Sequence, residues 1–292
     1  MAMAALFLPS CCCHANAMAV VALLLMATAA PAAVALLKDD VDFMWGSDHS
    51  FFYKDGRNGV DTLALCLEKT HGSGFRSKGA YLYARFDIDV KLVANNSAGT
   101  VTTIYLTTDD VRPGYHDEVD MEFLGNVTGE PYTLHTNIFV DSVGNREQQF
   151  RLWFDPTADF HTYSFEWTPK NIIFLIDGTP IRVHKNEASR GVAAFPTQRR
   201  MRLDGSLWNA DDWATQGGRV KTDWTQAPFY AYYRNCRVTP CAPPSPGAAV
   251  CGDEPPESAA LRKVRAEHLL YDYCEDQNRF KATGLPKECT TD

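Results

Sequence analysis

Thr162-Tyr-Ser-Phe-Glu-Trp167 alternates polar and apolar residues, and soon after it come Ile172-Ile-Phe-Leu-Ile176, the dipeptide Asp177-Gly178 and Ile181-Arg-Val-His184. Period two is the side-chain repeat of a strand, and Asp-Gly between two such runs is a hairpin signal, with Thr179-Pro180 lengthening the loop. Upstream, Tyr81-Leu-Tyr-Ala-Arg-Phe-Asp-Ile-Asp-Val90 shows the same alternation. From about residue 40 to 240, glycine and proline punctuate short runs of this kind, and no long amphipathic helix interrupts them. The spacing predicts an all-β fold, an antiparallel β-sandwich of two sheets packed face to face.

The flanks read differently. Ala17 to Ala30 is almost wholly apolar and is followed by small residues, with Ala-Ala-Val-Ala at 32–35. That is the pattern of a secretory signal over residues 1–35, too short and too alanine-rich for a membrane anchor. Its removal takes away Cys11, Cys12 and Cys13 and leaves six cysteines, four of them in the last fifty-odd residues. In a secreted chain this implies local disulfides, and Cys241–Cys251 and Cys274–Cys289 are the pairs that close short loops. Cys66, inside Leu63-Ala-Leu-Cys-Leu67, reads as a buried free thiol, and Cys236 is ambiguous. Residues 240–257 are a proline-rich connector, and Ser258 to Tyr273 reads as a helix with Ser258 as N-cap. The divisions are therefore 1–35, 36–239 for the sandwich, and 240–292 for a short disulfide-stapled C-terminal extension containing one helix. With 28 Lys+Arg against 36 Asp+Glu, a formal net charge of −8, the 292-residue chain has no basic footprint for nucleic acid.

The chemistry is concentrated in His116-Asp-Glu-Val-Asp-Met-Glu-Phe-Leu-Gly-Asn126. On a strand, Glu118, Asp120 and Glu122 share one face, and Val119, Met121 and Phe123 share the other. Three adjacent acids repel one another and serve stability badly, whereas carboxyls that shift each other's pKa suit general acid–base and nucleophilic work. Cleavage of a glycoside with retention needs two such groups, one nucleophile and one acid, and an Asp between them can separate their pKa values. Calcium fits poorly, since its loops use turns and backbone carbonyls. Trp208 and Trp213, flanked by Asn209, Asp211 and Asp212, suit a sugar cleft. Trp45, Trp153 and Trp167 read as core.

This stretch resembles the active-site strand of the xyloglucan endotransglucosylase/hydrolases of glycoside hydrolase family 16. The likeness continues through Gly72-Ser-Gly-Phe-Arg-Ser-Lys78, Leu152-Trp-Phe-Asp-Pro156, Ser206-Leu-Trp-Asn-Ala-Asp-Asp-Trp-Ala-Thr215, Tyr271-Asp-Tyr-Cys274 and Gly284-Leu-Pro-Lys-Glu-Cys289. It implies a jelly-roll sandwich, with Glu118 as nucleophile, Glu122 as general acid/base and Asp120 assisting, and with no metal or other cofactor. It places sugar contacts on His135, Asn137, Asn145, Arg146 and Glu147, on Trp208, Asn209, Asp212, Trp213 and Gly217, and on Arg279 at the acceptor side. The implied enzyme is a secreted, monomeric cell-wall glycoprotein of the apoplast that cuts β-1,4-glucosyl bonds of xyloglucan and rejoins the fragment to another xyloglucan chain or oligosaccharide. A xyloglucan endohydrolase, a glucan-binding lectin-like sandwich, and an enzyme acting on mixed-linkage glucan or cellulose are the alternatives. Asn126-Val-Thr128 is the expected glycosylation site. Several features depart from the family: Thr107–Tyr115 is a longer loop than usual, His135 stands where Gln is typical, Met201–Gly205 replaces a more apolar lead into the Ser206 segment, Cys236 takes an aromatic's place, and Lys263 a position often held by Trp.

Overall fold

The computed structural model describes residues 37–56, 59–241, 251 and 257–290. The apolar leader with its three cysteines and most of the proline-rich connector lie outside those residues. One helical turn, α1 (Leu37–Asp40), leads into β1 (Val41–Trp45), β2 (Phe51–Lys54), β3 (Asp61–Leu67), β4 (Ser73–Ser77) and β5 (Ala84–Lys91). There follow β6 (Thr100–Thr107), β7 (Glu118–Leu124), β8 (Thr133–Phe139), β9 (Gln148–Arg151), β10 (His161–Trp167), β11 (Asn171–Ile176) and β12 (Thr179–Lys185). Next are β13 (Arg202–Asn209) and β14 (Phe229–Pro240), and beyond the connector α2 (Ala259–His268) and β15 (Leu269–Asp272).

Eight strands form a first sheet in the order β1-β4-β13-β6-β7-β8-β9-β15, and seven form a second in the order β12-β11-β10-β5-β14-β3-β2. Every pairing is antiparallel. Strands distant in sequence lie side by side, β13 between β4 and β6 and β14 between β5 and β3, which is the interleaving of a jelly roll. The inner faces carry the alternate residues that period two requires: Val119, Met121 and Phe123 from the first sheet, Phe86, Ile88, Val90, Tyr163, Phe165 and Trp167 from the second, all buried. Among the described residues no helix is long and apolar enough to cross a membrane.

Several local readings are corrected. The β11–β12 hairpin closes on Asp177 and Gly178 alone, both at positive φ (48° and 76°), with Thr179 already paired to Ile176. Thr179-Pro180 does not lengthen the loop, because the register shifts at Ile181 and a bulge absorbs the proline's missing donor. The run from Tyr81 becomes strand only at Ala84, since Tyr83 sits at φ 65°. Ser258 does cap α2, accepting from the Leu261 N–H at 3.1 Å, but the helix stops at His268 and the chain continues as β15 beside β9. Of the three tryptophans read as core, Trp167 is fully buried, whereas Trp45 is 43% and Trp153 40% exposed. Trp153 follows the end of β9 and so has no inner face to occupy. Cys241–Cys251 and Cys274–Cys289 are bonded, and Cys66 and Cys236 are buried free thiols.

Two long polar side chains cross between the sheets. Tyr233 of β14 donates to the carbonyls of Thr103 (3.2 Å) and Ser206 (3.1 Å). Arg182 of β12, fully buried, donates to the Thr136 carbonyl (3.1 Å) and hydroxyl (2.8 Å) and to the Arg146 carbonyl (2.5 Å). Buried donors aimed at strand carbonyls fix the spacing of the layers as well as their cohesion. Replacing Tyr233 by Phe keeps the ring and removes the donor; the expected cost is about 1 kcal/mol, a fall of about 2–4 °C in thermal midpoint for a chain of this size. An unchanged midpoint would show that the strut contributes nothing.

Candidate active site

The outward face of β7 carries the three acids, and its inner face the three apolar residues. The register sets each acid in a row across three strands: Thr107, Glu118 and Phe139; Tyr105, Asp120 and Asn137; Thr103, Glu122 and His135. Because paired residues share a face, these nine side chains form the floor of one groove. A cavity of about 510 Å³ lies over it, lined by the acids with Trp45, Thr103, Tyr105, Asn137, Phe139, Ser206 and Trp208. Trp45 stands over Gly74, where a Cβ would come within 2.6 Å of its ring. A glycine is thus required at that position for the tryptophan to lie flat at the end of the groove.

The three carboxyls occupy different electrostatic environments. Burial, then the charges of Glu118 and Glu122, hold Asp120 well above the ordinary carboxylate range, and it is hydrogen-bonded to Glu118; the Arg182 guanidinium behind the sheet opposes the rise. Burial, then the Glu118 charge, pushes Glu122 up to about 7. Glu118 also meets His116, whose Nε2 lies 3.1 Å from its Oε2 and 3.0 Å from the Thr107 hydroxyl. That contact with Glu118 raises the His116 pKa against burial. His135 goes the other way: burial first pushes it down to about 4. The Gln149 amide donates to His135 Nδ1 at 3.0 Å, so the neutral ring carries its proton on Nε2, which faces Glu122 Oε2 at 3.8 Å. A fourth acid, Asp204, is fully buried and raised to about 6 by that burial, while Arg76 holds it in a bidentate pair at 2.7–3.0 Å and pulls the other way.

The expected sugar contacts divide into two groups. Trp208 and Trp213 come together with ring centroids 6.2 Å apart, and Trp213 lies 6.1 Å from His135, forming an aromatic wall past Glu122. Arg279 from the extension donates to Glu147 (2.6 Å) and Asn145 (2.7 Å), joining three of the expected residues at the β9 side. Asp212 and Gly217 are exposed in the loop after β13. Two others turn away from the groove. Arg146 is buried, with its Nε on Glu288 at 2.9 Å and its Nη1 on three backbone carbonyls, so it ties the extension to the sheet. Asn209 donates to the Gly99 carbonyl and the Thr222 hydroxyl and serves the loop packing behind Trp208. Asn137 presents its side chain to the groove while its Oδ1 accepts from the Arg146 and Ile138 N–H groups. Sequence reasoning missed Trp45, Tyr105, His116, Phe139 and Asp204. Of these, only His116 carried a local signal, two residues before Glu118 on the same strand face.

Outside the groove, Asp48, His49 and His71 bring metal-ligating atoms within 4.8 Å of one another. Both His49 nitrogens already face protein acceptors, Asp48 Oδ1 at 2.8 Å and the Gly72 carbonyl at 3.2 Å. At the end of β7, Asn126 donates its side-chain amide to the Pro131 carbonyl, with Thr128 and Gly129 exposed beside it.

Comparison with known proteins agrees with this geometry. Residues 37–226 match the glycosyl hydrolases family 16, and residues 254–289 match the xyloglucan endo-transglycosylase (XET) C-terminus. Xyloglucan endotransglucosylase protein 1 of Diospyros kaki is 53% identical over 260 residues, covering 86% of each chain. Xyloglucan endotransglucosylase/hydrolase 2 of Glycine max is 52% identical over 256 residues, covering 86% of this chain and 87% of its own. Among solved structures, the apo Crh5 transglycosylase superposes with a TM-score of 0.55 at 24% identity, covering 70% of this chain and 80% of its own, a likeness of fold. The chain is therefore a member of glycosyl hydrolases family 16 and belongs, within it, to the xyloglucan endotransglucosylase/hydrolases.

Proposed function

We propose that this chain is a xyloglucan endotransglucosylase working by retention, with Glu118 as nucleophile, Glu122 as general acid/base and Asp120 as the group that holds the nucleophile. The observation that carries the reading is the single row of three carboxyls on the groove face of β7 in three different electrostatic environments. A protonated Asp120 on one side and His116 on the other fix the Glu118 carboxylate for attack at the anomeric carbon. As the bond from that carbon to Glu118 forms, the glycosidic bond breaks and Glu122 delivers its proton to the departing oxygen. Glu122, now a carboxylate, takes the proton of an incoming sugar 4-hydroxyl, whose oxygen displaces Glu118. Transfer over hydrolysis is supported by the extension, which lengthens the groove sheet by β15 and brings Arg279 and Tyr271 to its far side, where an acceptor sugar can outcompete water. The name of the Diospyros kaki relative points the same way.

Within this reading, residues 1–35 are a cleaved secretion leader, 36–239 the catalytic domain and 240–292 the extension, in a monomeric, Asn126-glycosylated protein of the cell wall. Polymeric xyloglucan incubated with labelled xyloglucan oligosaccharides tests it directly: label is expected to enter polymer with few new reducing ends. Reducing ends without label would make the protein a hydrolase. Cleavage is expected to be fastest below pH 7 and to decline as the pH rises through about 7, where Glu122 loses its proton. Glu122→Gln is expected to lower turnover by about 10²–10⁴-fold and to abolish that decline. The same substitution carries a stability signature. An acid whose folded pKa lies above its unfolded value loses stability as the pH rises between the two, so the variant is expected to melt higher than the parent at pH 8 and equally at pH 4. Equal midpoints at both pH values would refute the raised pKa.

A further inference from the structure

The second sheet has an outward face of its own, and one end of it is paved with aromatic rings. On β14, Phe229, Ala231 and Tyr233 point into the core, so Tyr230 and Tyr232 between them point out. Phe51 and Tyr53 of β2 take the same face. Phe51 pairs with Ala64 and Tyr53 with Thr62 on the strand between, while Tyr232 pairs with Ala64 and Tyr230 with Cys66. Thr62, Ala64 and Cys66 are small and buried beneath this aromatic layer. The rings close a quadrilateral with centroid separations of 6.1 Å (Phe51–Tyr53), 6.1 Å (Phe51–Tyr230), 6.2 Å (Tyr53–Tyr232) and 6.4 Å (Tyr230–Tyr232). Phe51 is 48% exposed, and the other three are half-buried. Four outward aromatics where period two allows polar residues are a patch with a use beyond the core.

The rim of the patch says what it takes. A cavity of about 420 Å³ beside Tyr53 and Tyr232 is lined by Asp55, Lys91, Asp159 and Arg234, and another of about 200 Å³ beside Tyr230 by Asn95, Asn96 and Gln226. Lys91 and Arg234 are matched by Asp55 and Asp159, with Glu68 near Tyr230 and Asp89 on Arg234, so the rim offers donors and acceptors with no excess of positive charge. An anionic polymer or lipid headgroup finds no complement there. A neutral polyhydroxylated chain does, with its ring faces on the aromatics and its hydroxyls on the rim. We propose that this face is a second polysaccharide-binding surface, on the side of the sandwich opposite the groove, for an extended neutral β-glucan. The glucan class rests on the reading of the groove given above; the aromatic platform does not.

The test uses the secreted mature protein. Tyr230→Ala/Tyr232→Ala is expected to lower the thermal midpoint by a few degrees, since the rings cover Ala64 and Cys66, and, at a temperature where the variant is fully folded, to weaken retention in gels containing polymeric xyloglucan by about tenfold while leaving turnover of short xyloglucan oligosaccharides unchanged. Tyr230→Phe/Tyr232→Phe is expected to bind as the parent does, because the ring faces make the contact. Unchanged retention in the alanine pair overturns the proposal, as does loss in the phenylalanine pair. Retention of the parent by a mannan gel in place of the glucan gel overturns the ligand class. Absence of oligosaccharide turnover in the parent would count against the groove reading alone, since the gel comparison still decides the platform.

Discussion

Three carboxyl groups on alternate residues of one strand cannot all be ionised side by side, and the rest of the molecule is organised around that constraint. The conflict is resolved by unequal burial. Asp120, the most enclosed, is the one driven furthest toward its neutral form, and the charge of Glu118 adds to burial in lifting Glu122. The cross-strand neighbours are chosen accordingly. Tyr105 and Asn137 flank Asp120 with neutral polar groups, and His116, an imidazole whose contact with Glu118 raises its pKa, stands at Glu118. A cation at His135 would oppose the rise at Glu122, and burial keeps that ring neutral.

Such an arrangement needs a floor that does not yield. The tyrosine and arginine struts supply it from the opposite sheet, each reaching a backbone carbonyl of a strand adjacent to β7. The extension supplies it from the side. Arg146 is clamped to Glu288, Gln148 donates to Asp272 at 2.9 Å, and Arg265 holds the same Asp272 at 2.8 Å. The extension thus has two roles from one docking: Arg279 and Tyr271 reach the groove side, while the Arg146–Glu288 pair and the Gln148–Asp272 hydrogen bond hold the β8–β9 connection and β9 from behind.

The sandwich and the acid face were legible because both depend on period two, which is a local property of the chain. The cysteine pairs were legible because short loops leave few partners. What could not be read was which residues become neighbours across strands. Trp45 and Trp167 sit in similar alternating contexts, yet one paves the groove and the other fills the core, because alternation names two faces without saying which is covered. Asp204 reaches the groove face only through the β13–β6 register. Arg146 and Asn209 look like ligands for sugar in sequence, but their hydrogen bonds are taken up by Glu288 and by the loop at Gly99. The end of α2 was lost because the apolar spacing that suggested more helix is also compatible with a strand, and β9 offered an edge that favoured the second.

That edge bears on how the protein is made. On its side away from β8, β9 is a row of unpaired amides and carbonyls until β15 arrives, and β15 follows only after β14, the connector and α2. During synthesis the sandwich can assemble while this border is still open to any passing strand, including one from a neighbouring copy. β15 is therefore a cover as well as a strand: a chain cut within the connector keeps all three acids but leaves the outer border of β9 open to pairing.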